Sequence, residues 1–162
     1  MKKIVPLIIL AVLTVSCGVS KEMARVKVVG NLDSYTYAYV VPSGSSASAS
    51  TGVAVGHVYA GTSAISNPSD IISGYLMKKG YTIVPEVKPE HAKNTMVVTY
   101  GQVASSMTWA AEHTCMIQML DAESQELIAY CEANGTSIET MSEALQKAIY
   151  NALNSIFKVA KM

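Results

Sequence analysis

EHTCMIQMLDAESQELIAYCEA, residues 112–133, is the stretch of sequence that decides the fold of this chain. Cys115, Ile117 and Met119 lie at every second position of residues 112–120, and Leu127, Ala129 and Cys131 do so in residues 126–133, which is the period-two spacing of one face of a β-strand. Four of the five residues 121–125 between them are polar, which is typical of a turn. The stretch therefore predicts an antiparallel β-hairpin with its apolar side chains on one face.

The register of this hairpin decides where two of the three cysteines lie. If Leu120 lies opposite Glu126, then Cys115 lies opposite Cys131 on the same face. Directly opposed residues in an antiparallel pair have Cα atoms about 4.5–5.5 Å apart, which is within the range that a disulfide tolerates. A disulfide between these two cysteines is one prediction. Two small buried thiols facing a helix are the alternative.

A long amphipathic helix is predicted after the hairpin. Thr136 and Glu139, which follow Asn134-Gly135, have the spacing of a capping box, so the helix is expected to begin there and to run to about Val159. Its apolar stripe comprises Met141, Leu145, Ala148, Ile149, Ala152, Leu153, Ile156 and Phe157. Such a stripe needs an apolar partner, and we expect it to cover the hairpin.

The first half of the domain contains further strand patterns. Residues 25–41 are rich in valine and tyrosine and predict two strands or one bent strand. Residues 81–87 predict an edge strand, since Pro85 has no backbone N–H to donate to a neighbouring strand. Residues 95–106 predict another strand, with Gly101 as a candidate bulge.

One shorter helix is predicted between these strands. Asn67 is a good N-cap, Pro68 suits the first helical position, and Gly80 is typical of the end of a helix. Residues 42–66, dominated by Ser, Ala, Gly and Thr, predict a mobile loop. The order of elements predicts an α+β domain, in which two helices pack on one face of a mostly antiparallel sheet.

The N-terminus has the layout of a bacterial lipoprotein signal. Two lysines precede the apolar residues 4–15, and the junction Ser16-Cys17-Gly18 follows. The apolar run is too short to span a bilayer of about 30 Å as a helix. We therefore predict a signal peptide at residues 1–16 and lipidation of Cys17, which would anchor the protein in a membrane.

The remaining chain then divides into a tether, residues 17–24, and a single domain, residues 25–162. Removal of residues 1–16 takes two of the twelve basic residues, which leaves ten against twelve acidic residues and a formal charge of −2. A slightly acidic chain without a basic cluster gives no support for nucleic-acid binding. Gly18, where retained inner-membrane lipoproteins commonly have Asp, favours the outer membrane; the chain does not decide between a periplasmic-facing and a surface-exposed domain.

Several short motifs in this order resemble a family of uncharacterised Gram-negative envelope lipoproteins, a domain of unknown function. They are LDSYTYAY at residues 32–39, LMKKGY at 76–81, VVTY at 97–100, and DA at 121–122 followed by LIAY at 127–130. The resemblance covers roughly residues 32–157. It implies a lipid-anchored envelope domain with no assigned catalytic activity.

Motifs for chemistry are weak in this sequence. His57, His91 and His113 have neither the His-Glu-x-x-His nor the Cys-x-x-Cys spacing of metal sites, and no Gly-x-Ser-x-Gly elbow occurs. No cofactor is predicted. An envelope hydrolase that acts on wall or glycan substrates is the alternative function.

Three tyrosines are the candidate partner surface. Tyr35, Tyr37 and Tyr39 alternate along a predicted strand and share one face of it. Aligned tyrosines offer rigid amphipathic area to an envelope protein or a glycan, although they would pack equally well under a helix. The favoured function is a lipid-anchored outer-membrane module that binds or scaffolds and has no enzymatic activity.

Overall fold

A computed structural model describes residues 24–42 and 67–162, which form a six-stranded sheet with two α-helices. The elements are β1 (Arg25–Val28), β2 (Tyr37–Val40), α1 (Pro68–Lys78), β3 (Thr82–Ile83), β4 (Thr95–Met107), β5 (Ala111–Asp121), β6 (Leu127–Ser137) and α2 (Met141–Val159), with 3-10 turns at Leu32–Ser34 and Pro89–Asn94. The predicted signal peptide, Cys17 and most of the predicted loop lie outside the described residues.

The strand order is β1-β6-β5-β4-β2-β3. β1, β6, β5 and β4 pair antiparallel, whereas β2 pairs parallel with both β4 and β3. β3 is the edge strand that Pro85 predicted, although it is only two residues long. The sheet and its two helices confirm the predicted α+β class.

The predicted stripe of α2 forms much of the core. Its fully or nearly fully buried side chains are Ala144, Ala148, Ile149, Ala152, Leu153, Ile156 and Phe157, while Met141 and Leu145 are half-buried. These side chains pack in one cluster with apolar residues of the sheet, such as Ile117, Met119 and Cys131. Burial of this stripe is the main reason for the helix to form, because most of the stability of a helix in a protein comes from tertiary packing of its apolar face.

α1 begins and ends as predicted and joins α2 through aromatic rings. The Asn67 side chain accepts a hydrogen bond from the Ser69 amide at 3.2 Å, and Gly80 has φ +97°, which favours glycine. Tyr75 lies 5.7 Å from Phe157 between ring centroids, and its hydroxyl donates to Asn154 Oδ1 at 2.8 Å. Both helices therefore cover the same face of the sheet.

The predicted start of α2 is wrong by several residues. β6 continues through Asn134 and Gly135 to Ser137, and the true N-cap is Thr140, whose hydroxyl accepts from the Glu143 amide at 3.1 Å. The strand extends because each of these residues pairs with β5, as far as Ser137 opposite Ala111. The pattern Thr-x-x-Glu occurs at residues 136–139 and again at 140–143, and the pairing of β6 decides which one caps the helix.

The predicted register of the β5–β6 hairpin is also wrong. Leu120 pairs with Leu127 instead of Glu126, and an irregularity between Met119 and Leu120 shifts the pairing by one residue more, so that Cys115 lies opposite Ala133 and Cys131 lies opposite Ile117. A shift of two keeps both cysteines on the helix-facing side but makes them diagonal neighbours. Diagonal positions are about 7–8 Å apart, beyond the reach of an unstrained disulfide.

Both cysteines are free and buried in the structure, which agrees with the alternative interpretation and not with a directly opposed bridge. Burial raises the pKa of the Cys115 thiol to about 12, and it raises the pKa of the Cys131 thiol to about 11. The thiols are therefore protonated at neutral pH and are poor nucleophiles.

The predicted bulge in β4 lies near its expected place. The register of β4 against β5 shifts between Gln102 and Ala104, so the extra residue is Val103 and not Gly101. After this shift β4 continues to pair with β5 as far as Met107 opposite Ala111, while β6 pairs with the other side of β5.

Candidate functional site

The three predicted tyrosines do not form a single surface. Tyr35 ends the first 3-10 turn before β2 begins, and its hydroxyl donates to Asp121 Oδ2 at 2.8 Å. Burial and this hydrogen bond raise the pKa of Tyr35 to about 12. Tyr35 is thus a structural link between the start of β2 and the β5–β6 turn.

Asp121 organises that turn. Its Oδ1 atom accepts hydrogen bonds from the Ser124 amide at 2.7 Å and the Glu123 amide at 2.9 Å. The hydrogen bond from the Ser124 amide is the largest cause that lowers the pKa of Asp121, and Tyr35 adds to it. The carboxylate therefore stabilises the hairpin that sets the register of the sheet.

Tyr37 and Tyr39 lie together on the face of the sheet opposite α1 and α2, which we call the outer face. They are half-buried and alternate with the fully buried Ala38 and the buried Val40 on the helix-facing side. The Tyr37 ring lies 4.8 Å from the His91 ring, centroid to centroid. Thr95 fixes the second 3-10 turn, because its hydroxyl donates to the His91 carbonyl at 2.7 Å.

The outer face carries an apolar row across four strands. Tyr39 pairs with Val97, Val97 pairs with Leu120, and Leu120 pairs with Leu127. All four side chains are half-buried. Sequence analysis found only Tyr39 of this apolar row, because the alignment of the other three depends on the register.

Polar side chains occupy the next row of the outer face. Thr99 pairs with Gln118, Gln118 with Tyr130, and Tyr130 with Lys27. The Thr99 hydroxyl lies 3.5 Å from Gln118 Oε1. The apolar row is therefore bordered by hydrogen-bonding groups, an arrangement that resembles the apolar centre and polar rim of protein interfaces.

A small polar cavity lies on the opposite side of the sheet, where the domain begins. It has a volume of about 130 Å³, and it is lined by Ala24, Ala133, Asn134, Asn151, Asn154 and Ser155. Two of its side-chain amides make hydrogen bonds within the domain. Asn151 Nδ2 donates to the Asn134 carbonyl at 2.9 Å, and Asn154 Oδ1 accepts from the Tyr75 hydroxyl. Its lining provides no ionisable side chain for acid–base chemistry.

His113 is buried on the helix-facing side of β5, opposite Gly135. Burial lowers the pKa of its imidazole, so the ring is neutral at neutral pH. Among residues 24–42 and 67–162, no hydrogen-bond partner lies within reach of its Nδ1 atom. His91, in contrast, lies beside the outer face next to Tyr37.

Metal ligands are not clustered in the described part of the chain, where no three His, Cys, Asp or Glu side chains lie close enough to bind an ion together. His57 lies outside the described residues. Neither α1 nor α2 has the combination of length and hydrophobicity that a transmembrane helix requires.

Comparison with known proteins identifies similar folds. No protein-family model matches the chain, and no curated protein matches it. Among solved structures, the PelC dodecamer from Paraburkholderia phytofirmans is 12% identical with a TM-score of 0.57, and a single-substitution variant of that PelC is 11% identical with a TM-score of 0.56. Each alignment covers 82% of this chain and 95% of the PelC chain. At this identity the likeness is one of fold.

Proposed function

We propose that this protein is a lipid-anchored module of the outer membrane that binds or scaffolds a partner and has no chemistry of its own. The observation that carries the proposal is the apolar row of Tyr39, Val97, Leu120 and Leu127 on the outer face. Contiguous apolar area that is bordered by polar groups marks an interaction site in many soluble domains.

The anchor is proposed from the sequence. Lysines at the start, the apolar residues 4–15 and the junction Ser16-Cys17-Gly18 together fit a lipoprotein signal. Acyl chains on Cys17 would hold the domain at the membrane, since each buried CH₂ group contributes about 0.8 kcal/mol. Gly18 favours the outer membrane over retention at the inner membrane.

The partner is proposed to be an envelope protein or a glycan. Tyr37 and Tyr39 present flat rings with hydroxyl groups, which suit either class. The PelC structures of the same fold are dodecamers, which supports a scaffolding role in which copies of the chain assemble.

Replacing Cys17 with Ala tests the anchor. We expect the variant to leave the detergent phase in a phase-partition experiment, or to accumulate as an uncleaved precursor, because the acyl chains have no attachment site. Cys115→Ala is the matched control, since it removes a thiol that the structure buries. A Cys17→Ala protein that matures and partitions like the parent would refute the lipoprotein assignment.

Photo-crosslinking from the outer face in intact cells tests the binding surface. A crosslinking residue at Gln118, next to the apolar row, should yield discrete adducts, and Tyr39→Ala should weaken them at least about tenfold if Tyr39 is a hot spot. A crosslinker at Met77, which is 58% exposed on α1, is the control. Adducts with a second copy would identify scaffolding by self-assembly. Equal adduct yields from crosslinkers at Gln118 and Met77 would contradict the proposed surface. An adduct yield that is unchanged by Tyr39→Ala would contradict it as well.

A further inference from the structure

Three large apolar side chains are exposed at one end of the sheet. Trp109 in the β4–β5 turn is 83% exposed, Ile138 after β6 is 80% exposed, and Met107 at the end of β4 is 72% exposed. We call these three residues the apolar end. Single exposed apolar side chains are ordinary, but a contiguous group indicates a contact with an apolar or interfacial surface.

The register brings the three residues of the apolar end to the same end of the sheet. Met107 pairs with Ala111, and Ala111 pairs with Ser137, which directly precedes Ile138. Met107, Ala111 and Ser137 thus lie on three adjacent strands. Since neighbouring strands are about 4.8 Å apart, Met107 and Ser137 are about 10 Å apart at the same end of the domain. Trp109 lies in the turn between the first two of these strands.

The start of the domain points toward the same end. β1 runs antiparallel to β6 with Arg25 opposite Glu132, and β6 runs from there to Ser137. The backbone at Ala24, which directly precedes β1, therefore points toward the apolar end.

Chain length lets Cys17 reach that end. Ser137 lies five residues beyond Glu132, which is about 17 Å along a strand. Cys17 lies eight residues before Arg25, and eight residues can span up to roughly 26 Å. Acyl chains on Cys17 can accordingly be level with the apolar end while the domain stays folded.

The charge around the apolar end limits the classes of partner that it can bind. Glu112 and Glu139 are exposed beside it, and residues 101–143 contain no Lys or Arg. A contact driven by attraction to anionic lipids or nucleic acid needs basic residues. Tryptophan, in contrast, favours the interface between headgroups and acyl chains through its amphipathic ring.

We propose that the apolar end rests in the interface of the membrane that holds Cys17, with Trp109 at the level of the headgroups. This inference rests on the proposed lipid anchor. The strands would then rise from the membrane, and the apolar row, which crosses β5 at Leu120, would lie about 30 Å above the apolar end, since nine residues separate Leu120 from Ala111. The binding surface would face partners away from the lipid.

Fluorescence of Trp109 tests the inference, because it is the only tryptophan of the chain. The acylated protein is reconstituted into vesicles of phosphatidylethanolamine and phosphatidylglycerol, with and without brominated acyl chains. We expect a blue shift of the emission, quenching by the brominated lipid and loss of quenching by acrylamide, all relative to the Cys17→Ala protein in solution. The same response is expected at high salt, because the contact is apolar.

The matched control moves the tryptophan to the other end of the domain. Trp109→Phe combined with Met77→Trp places the only tryptophan near the end of α1, close to β3. The brominated lipid should not quench the emission of this tryptophan. If the protein stays with the vesicles but acrylamide still quenches Trp109, the inference is overturned and the proposed lipid anchor is retained. A protein that does not stay with the vesicles would overturn both.

Self-association gives a distinct result. If Trp109 is shielded from acrylamide without vesicles, and the sedimentation coefficient rises with protein concentration, a second copy occupies the apolar end. That outcome would also overturn the inference.

Discussion

Replacing Leu153 with Ala is expected to lower the free energy of unfolding by about 2–5 kcal/mol. Leu153 is fully buried on α2, in the cluster that joins this helix to the sheet. Truncation removes the transfer free energy of the lost methyl groups and leaves a cavity that a packed core fills only in part. Since small domains are stable by only about 5–15 kcal/mol, the loss should be plain in urea denaturation followed by circular dichroism.

Leu145→Ala is the matched control for this experiment. The same atoms are removed from the same helix, but Leu145 is only half-buried and packs at the margin of the core. Its loss should be well below that of Leu153→Ala. Equal losses for the two variants, or unchanged denaturation midpoints for both, would contradict the packing of α2 described above.

Gly135→Ala is expected to destabilise the domain by about 3 kcal/mol, at the upper end of the usual cost of overpacking. A Cβ atom on Gly135 would collide with the Ala144 carbonyl oxygen and the Ala148 amide nitrogen of α2. Both are backbone atoms of a helix, so neither can rotate away. The helix as a whole must move off the sheet, and thermal unfolding should detect the strain.

Gly74→Ala is the opposite control. Gly74 lies inside α1, and among the described residues no atom beyond its chain neighbours and the backbone of its own helix lies within 4 Å of the position that its Cβ would occupy. Alanine there restricts the unfolded chain and favours the helix, so the domain should gain about 0.5–1 kcal/mol. A Gly135→Ala variant as stable as the parent would show that α2 does not approach β6 so closely.

These two glycines illustrate what local sequence can and cannot predict. Asn134-Gly135 is a strong turn signal, yet Gly135 lies within β6 because only glycine permits the close approach of α2. Gly80, in contrast, ends α1 as predicted, because a helix end depends on its own backbone conformation. Signals that act within a few residues were interpreted correctly when no distant contact competed with them.

The candidate surface shows the same division. Alternation along the chain correctly placed Tyr37 and Tyr39 on one face, since successive side chains of a strand point to opposite sides. It failed for Tyr35, whose hydroxyl bonds to Asp121, a residue 86 positions away. No pattern in the neighbourhood of Tyr35 carries information about that partner.

The sequence by itself determined the α+β class, the amphipathic stripe of α2, both ends of α1 and the existence of the β5–β6 hairpin. Each depends on periodicity or on capping within a few residues. Only the tertiary structure decided the register that separates Cys115 from Cys131, the start of α2, the apolar row and the apolar end. These depend on which strands pair and where a bulge shifts them, and a local sequence pattern does not encode such contacts between distant segments.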